Sequence, residues 1–144
     1  MKLSKALKVK NRLVGEINTL QHLINRDNSS EESKYYESAI SAKFQELQEK
    51  TKALIELKTK IQKATVPICG PLLEMAELKG QIDFYRNLKT TSGEVKSHYD
   101  NSPPVTFRCF MSQQDVDKKL AEINAKIGDL QDEVDEHNAI TVIS

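Results

Sequence analysis

The sequence predicts a mainly α-helical fold: a long antiparallel coiled-coil-like helical bundle carrying one small β-hairpin. Three observations lead there. Apolar residues recur in steps of three and four along four separate segments, the composition is rich in Lys, Glu, Leu, Ile, Gln and Ala, and the period drops to two in one stretch, Gly93 to Met111. A chain of 144 residues can bury one respectable core. We therefore expect a single domain over 1–144, with helices at about 4–25, 30–65, 71–88 and 113–138 and the hairpin at about 94–111.

The first helix is read from Leu3, Ala6, Leu13, Ile17, Leu20 and Ile24, a heptad-like stripe interrupted only by Lys10. A polar cluster, Asp27 to Ser30, follows, and Ser29 with Glu32 has the spacing of a capping box that satisfies the free N–H groups at a helix start. The second helix holds Ile40, Leu47, Leu54 and Ile61 at a strict seven-residue period, flanked by Tyr36, Phe44, Leu57 and Ala64. At about 1.5 Å per residue it makes a rod of roughly 50 Å, which cannot bury its stripe alone. Its simplest partner is the first helix folded back against it, but that helix is shorter, so part of the stripe is left for another element or another chain.

Thr65 to Pro71 carries two prolines, which forces a kink or turn. Pro71 then suits the first turn of a third helix whose apolar face is Leu72, Met75, Ala76, Leu78, Ile82, Tyr85 and Leu88. In the hairpin, Glu94 to Tyr99 and Val105 to Met111 are the two extended segments, joined by a five-residue loop from Asp100 to Pro104. Two strands alone are marginal in water, so they are expected to lie on the helices or to pair with a second subunit. Ser112, with Asp115 three residues on, caps the last helix. Its seam is Val116, Leu120, Ile123, Ile127, Leu130, Val134 and His137, and it runs into an apolar tail, Ala139 to Ile143.

Charge sets further bounds. The chain has 21 basic and 21 acidic residues, a balance that argues against a general nucleic-acid or membrane-surface binder. The charges are nonetheless segregated: residues 1–63 carry 13 basic and 8 acidic side chains, and residues 112–144 carry 3 and 8. Both ends also bear apolar stripes, so the acidic last helix is expected to pack beside the basic first helices, within a chain or between chains. The basic start, Lys2, Lys5, Lys8, Lys10 and Arg12, has its cations spread round the helix with no aromatic residue between them, and is read as a solvated face. No run approaches the 18 to 20 apolar residues of a membrane span and no secretory leader is recognisable, so a cytoplasmic protein is expected.

Little in the sequence carries chemistry. Cys69 and Cys109 are isolated and read as ordinary thiols. Glu133 and His137 stand one helical turn apart, but without the Glu-x-x-His or His-Glu-x-x-His spacing of known metal helices. His98 and Cys109 could face one another across the hairpin, yet two ligands do not make a metal site. His22 is read as exposed, and there is no phosphate loop, nucleophile elbow or dinucleotide fingerprint. No catalytic residue, cofactor or metal is therefore expected. The residues singled out are those of the seams, Leu13, Ile17, Leu20, Ile24, Ile123, Ile127 and Leu130, as core or interface.

Three segments, Leu57 to Pro67, Leu72 to Leu88, and Val105-Thr-Phe followed by Leu130 to Thr141, carry a resemblance. In them the chain resembles the small bacterial septicolysin-like proteins, whose long helices are broken by a connector containing Asn and Thr and whose last helix ends in an Asn-x-x-Thr tail. The chain departs from that pattern after the second helix, where it has Ala64-Thr-Val-Pro67. The resemblance implies an elongated helical subunit with a small β element that self-associates. It brings no activity and no functional residue, only a family name that points toward a haemolysin. A fainter internal echo aligns Leu57, Ile61 and Thr65 with Leu130, Val134 and Asn138, 73 residues on.

The expected function is that of a non-enzymatic structural or interaction protein forming homo-oligomers through its helical seams. A membrane-active, haemolysin-like protein is the alternative, and a metal- or ligand-binding helical protein the third.

Overall fold

The computed structural model describes residues 1–96 and 101–144, and 76% of it is helical. In chain order it contains α1 (Leu3–Asp27), a 3-10 turn (Glu32–Lys34), α2 (Glu37–Thr65), a second 3-10 turn (Val66–Ile68), α3 (Cys69–Arg86), β1 (Gly93–Val95), β2 (Val105–Phe107) and α4 (Gln113–Ile140). The chain divides into two compact units, one made of Met1–Ile68 with Glu136–Ser144 and the other of Cys69–Asp135.

In the first unit α1 and α2 pack antiparallel. Residue pairs along the two helices fix the sense: Leu3 lies in the same core cluster as Ile61, Glu16 meets Lys50, and Asp27 meets Lys43. The core cluster is Leu3, Ala6, Ile61 and Ile143, with Leu7, Leu57 and Ala64 packed against it. A buried aliphatic side chain of this size contributes about 1.5–3 kcal/mol relative to leaving it in water. Ile143 reaches the cluster because the segment after α4 pairs with the segment before α1. Leu3 N–H donates to the Thr141 carbonyl at 2.8 Å, and Ile143 N–H donates to the Met1 carbonyl at 2.8 Å, with a bridge between Lys2 and Val142. Lys2 gives α1 no side-chain cap, so the Thr141 carbonyl satisfies one of the N–H groups that a helix start leaves free.

The two ends of α1 and α2 that join them differ from the sequence expectation. Ser29 and Glu32 do not cap α2: Glu32–Lys34 forms a 3-10 turn, and α2 begins at Glu37 with Tyr36 as an N-cap that makes no side-chain bond. Tyr35 and Tyr36 are both extended, with φ −86° and −124°, in keeping with the preference of aromatic residues for extended backbone. α1 runs two residues past the expected end. Asp27 holds its last turn by accepting from Arg26 Nε at 2.8 Å and from Lys43 Nζ at 3.0 Å.

Helical backbone continues through Pro67 and Pro71 as a 3-10 turn followed by α3, without an extended break. Pro71 falls in the first turn of α3, where a missing N–H costs no intrahelical bond. In the second unit α3 and α4 run antiparallel, since Glu74 pairs with Lys126 at 2.7 Å and Thr90 bonds to Gln113 at 2.8 Å. The buried residues here are Met75, Val116, Ile123 and Val134. The Ser112 cap forms as its spacing predicts. Asp115 N–H donates to Ser112 Oγ at 3.1 Å and Ser112 N–H donates to Asp115 Oδ2 at 3.0 Å, a reciprocal box.

The hairpin is shorter than the sequence suggests. β1 and β2 have three residues each and pair antiparallel, Gly93 with Phe107, Glu94 with Thr106 and Val95 with Val105. Gly93 has a φ of +86°, a conformation that only glycine adopts freely, so extended backbone cannot continue before it. Residues 108–111 therefore have no strand opposite them and β2 stops at Phe107. Val95 is the residue paired with Val105, and the expected strand end at Tyr99 and loop start at Asp100 lie outside the described residues. One expectation is corrected. Cys109 and Met111 lie outside the strand.

Candidate functional site

The sequence nominates the helical seams, and each residue has a definite place. On α1, Ile17, Leu20 and Ile24 are buried and Leu13 is half-buried. On α4, Ile123 is buried while Ile127 and Leu130 are half-buried. The α1 residues share a helix face with Ala6, which belongs to the core cluster of the first unit. Ile123, Ile127 and Leu130 all belong to the second unit.

The row that faces α1 on α2 is drawn by its contacts: Lys43, Lys50, Leu57, Ile61 and Ala64. These polar contacts are charge-assisted. Lys50 Nζ donates to Glu16 Oε2 at 2.9 Å, and this bond, together with the lysine charge and Arg12, holds the Glu16 carboxyl below its usual value. The same bond raises Lys50. Hydrogen bonds from Arg26 and then Lys43 hold Asp27 far below the ordinary carboxylate range. They fix the register of the two helices more than they stabilise them, because exposed pairs are screened by water.

Another row on α2 is only partly covered, with Leu47 half-buried. Phe44, Leu47, Thr51 and Ile55 follow one another at three- and four-residue spacing, roughly a quarter turn round the helix from the α1-facing row at about 100° per residue. Phe44 is 41% exposed and Ile55 60% exposed. Leu47, Thr51 and Ile55 line a shallow groove bordered by Gln48, Lys52 and Glu56. Of the 29 residues of α2, Ile61 is the one that is buried. Sequence periodicity found Leu47 and Leu54 but passed over Ile55, because Ile55 belongs to a second row that a strict seven-residue count skips.

The other residues weighed for chemistry have ordinary places. His137 is half-buried, and its Nε2–H donates to the Ala64 carbonyl at 2.8 Å. That pair is separated by 73 residues, the same offset as the internal echo. Glu133 is exposed, His22 is exposed, and Cys69 is an exposed thiol. Cys109 is half-buried with its Sγ 3.9 Å from the Thr90 carbonyl, and the expected partner His98 lies outside the described residues. Among the described residues no three His, Cys, Asp or Glu side chains come together, and no helix is long and apolar enough to cross a membrane.

Comparison of the chain with protein-family models, with curated proteins and with solved structures finds no match.

Proposed function

We propose that this chain is a non-enzymatic structural or interaction protein that self-associates through helical seams in a coiled-coil-like bundle. The observation that supports this reading is the apolar row of α2, with Phe44 and Ile55 exposed and Leu47 half-buried, on a helix whose neighbouring face already makes the contacts with α1. Covering such a row removes apolar surface from water at about 25 cal/mol per Å², and a second copy of the chain offers the same row for the purpose. The half-buried Ile127 and Leu130 on α4 add a further stretch of seam with area left to cover. The charge segregation is compatible with the same reading, since a basic first segment and an acidic last segment complement one another between copies as readily as within one.

Solution mass by light scattering, repeated across a salt series, tests the proposal. A mass that is a multiple of 16.3 kDa and resists high salt supports apolar seams as the joining surface. A mass of one chain at every concentration overturns it.

One observation favours the membrane-active alternative: Val95, Val105 and Phe107 of the hairpin are all exposed. Dye release from anionic and cholesterol-containing vesicles is the corresponding test, and intact vesicles remove that reading.

A further inference from the structure

Beside the hairpin, the second unit contains an aromatic cleft that self-association through α2 does not use. It has a volume of about 450 Å³, within the range of roughly 300–1,000 Å³ typical of small-molecule sites. One wall is the end of α3, with Phe84 and Tyr85, and Leu88 just after it; the other is β2 and the segment after it, with Phe107, Phe110 and Met111. Phe84 is 62% exposed and Phe110 wholly exposed, so both rings are open to solvent. Phe84 and Tyr85 pack edge to face, 5.2 Å between centroids, which fixes the orientation of that wall.

The cleft is held open by bonds within the unit. Thr90 ties the two walls together, accepting from Cys109 Sγ at 3.9 Å through its carbonyl and donating from Oγ1 to Gln113 Oε1 at 2.8 Å. Asn87 N–H and Nδ2 both donate to the Asp83 carbonyl, and Leu88 N–H donates to Tyr85 O, so the final carbonyls of α3 are engaged at the rim. The two charged side chains lining the cleft are Lys89 and Arg108, and no carboxylate lines it. Neither cation forms an ion pair among the described residues.

We infer that this cleft binds a small aromatic anion, an aryl carboxylate, sulfonate or phosphate, with its ring between the Phe84 and Phe110 walls and its charge against Lys89 and Arg108. Charge complementarity selects that occupant. A second copy of the same face would bring four cations together with no carboxylate between them, and a neutral apolar guest would leave both cations without use. Arginine adds a planar guanidinium that suits both an anionic group and a ring face.

Titration of the full chain with 1-anilinonaphthalene-8-sulfonate, read by fluorescence and calorimetry, tests the inference, with neutral N-phenyl-1-naphthylamine as the uncharged control. The expected result is one saturable site per chain that favours the sulfonate at least tenfold over the neutral compound. Phe84→Ala and Phe110→Ala should each weaken it about tenfold, and Lys89→Ala with Arg108→Ala should abolish the preference for the anion. All four side chains are exposed, so unchanged circular dichroism and melting are expected and show that the fold is kept. Ile55→Glu on α2 should leave the binding constant as it is, which separates this site from the self-association proposal. No saturable binding, equal binding of the neutral compound, or indifference to all four substitutions would each overturn the inference. So would loss of an oligomer on Phe84→Ala or Phe110→Ala, which would assign the cleft to a second copy.

Discussion

The two units treat apolar surface differently. In the first, antiparallel helices, a backbone clasp between the segments around Lys2 and Val142, and the Leu3, Ala6, Ile61 and Ile143 cluster close the surface on itself, leaving the Phe44 to Ile55 row of α2 open. In the second, the helices bury Met75, Val116, Ile123 and Val134, while Phe84, Phe107 and Phe110 stand in solvent beside two cations. Substitutions in the first unit's cluster should therefore act on stability, and substitutions at the open surfaces on the proposed association or ligand binding.

The largest effect should come from the cluster. Ile61→Ala removes a side chain that is 8% exposed and packed among Leu3, Ala6 and Ile143, and should lower the unfolding free energy by about 2–5 kcal/mol in a denaturant titration. Phe110→Ala in the second unit should change it by less than about 0.5 kcal/mol, because that ring is already in water. Equal costs for the two substitutions would erase the contrast between the units. A middle effect is expected for His137→Ala, which takes the Nε2–H donor from the Ala64 carbonyl at a cost of about 1 kcal/mol.

Acid sharpens the comparison further. Asp27 and Glu16 have folded pKa values below their ordinary ones, so the stability they contribute is present above the unfolded pKa and is lost as the pH falls through the folded value. Asp27→Asn should therefore lower the melting temperature at neutral pH, and the difference from the parent chain should shrink as the pH falls below about 4, the ordinary range of carboxylates. A gap that stays constant with pH would contradict the pairing of Asp27 with Arg26 and Lys43. One further effect is a gain. Gly15 and Gly128 lie inside helices, and a Cβ added at either meets open space, so each change to Ala should stabilise by about 0.5–1 kcal/mol.

Much of this was written in local sequence. Heptad-like spacing pointed to α1, α2 and α4, Pro71 with a broad apolar face to α3, and the Ser112 to Asp115 spacing to the α4 cap, because these signals act within a few residues. What local spacing missed depends on distant partners. Thr141 becomes an N-terminal cap for α1 only when the two segments meet, and nothing near Lys2 announces it. Asp27 extends α1 because Lys43 reaches it from the next helix. β1 starts at Gly93, whose positive φ a count of alternating residues does not weigh. At the candidate surfaces, periodicity identified Leu47 but not the Ile55 row, and it read Phe110 as part of a strand when the ring stands exposed at a cleft.

The central claim is that the open row of α2 joins copies of this chain. Light scattering of the parent chain beside Ile55→Glu tests it most directly, since Ile55 is 60% exposed and its replacement should leave the fold intact. The account predicts an oligomer for the parent and a single chain of 16.3 kDa for the variant under the same conditions. The same mass for both would contradict it.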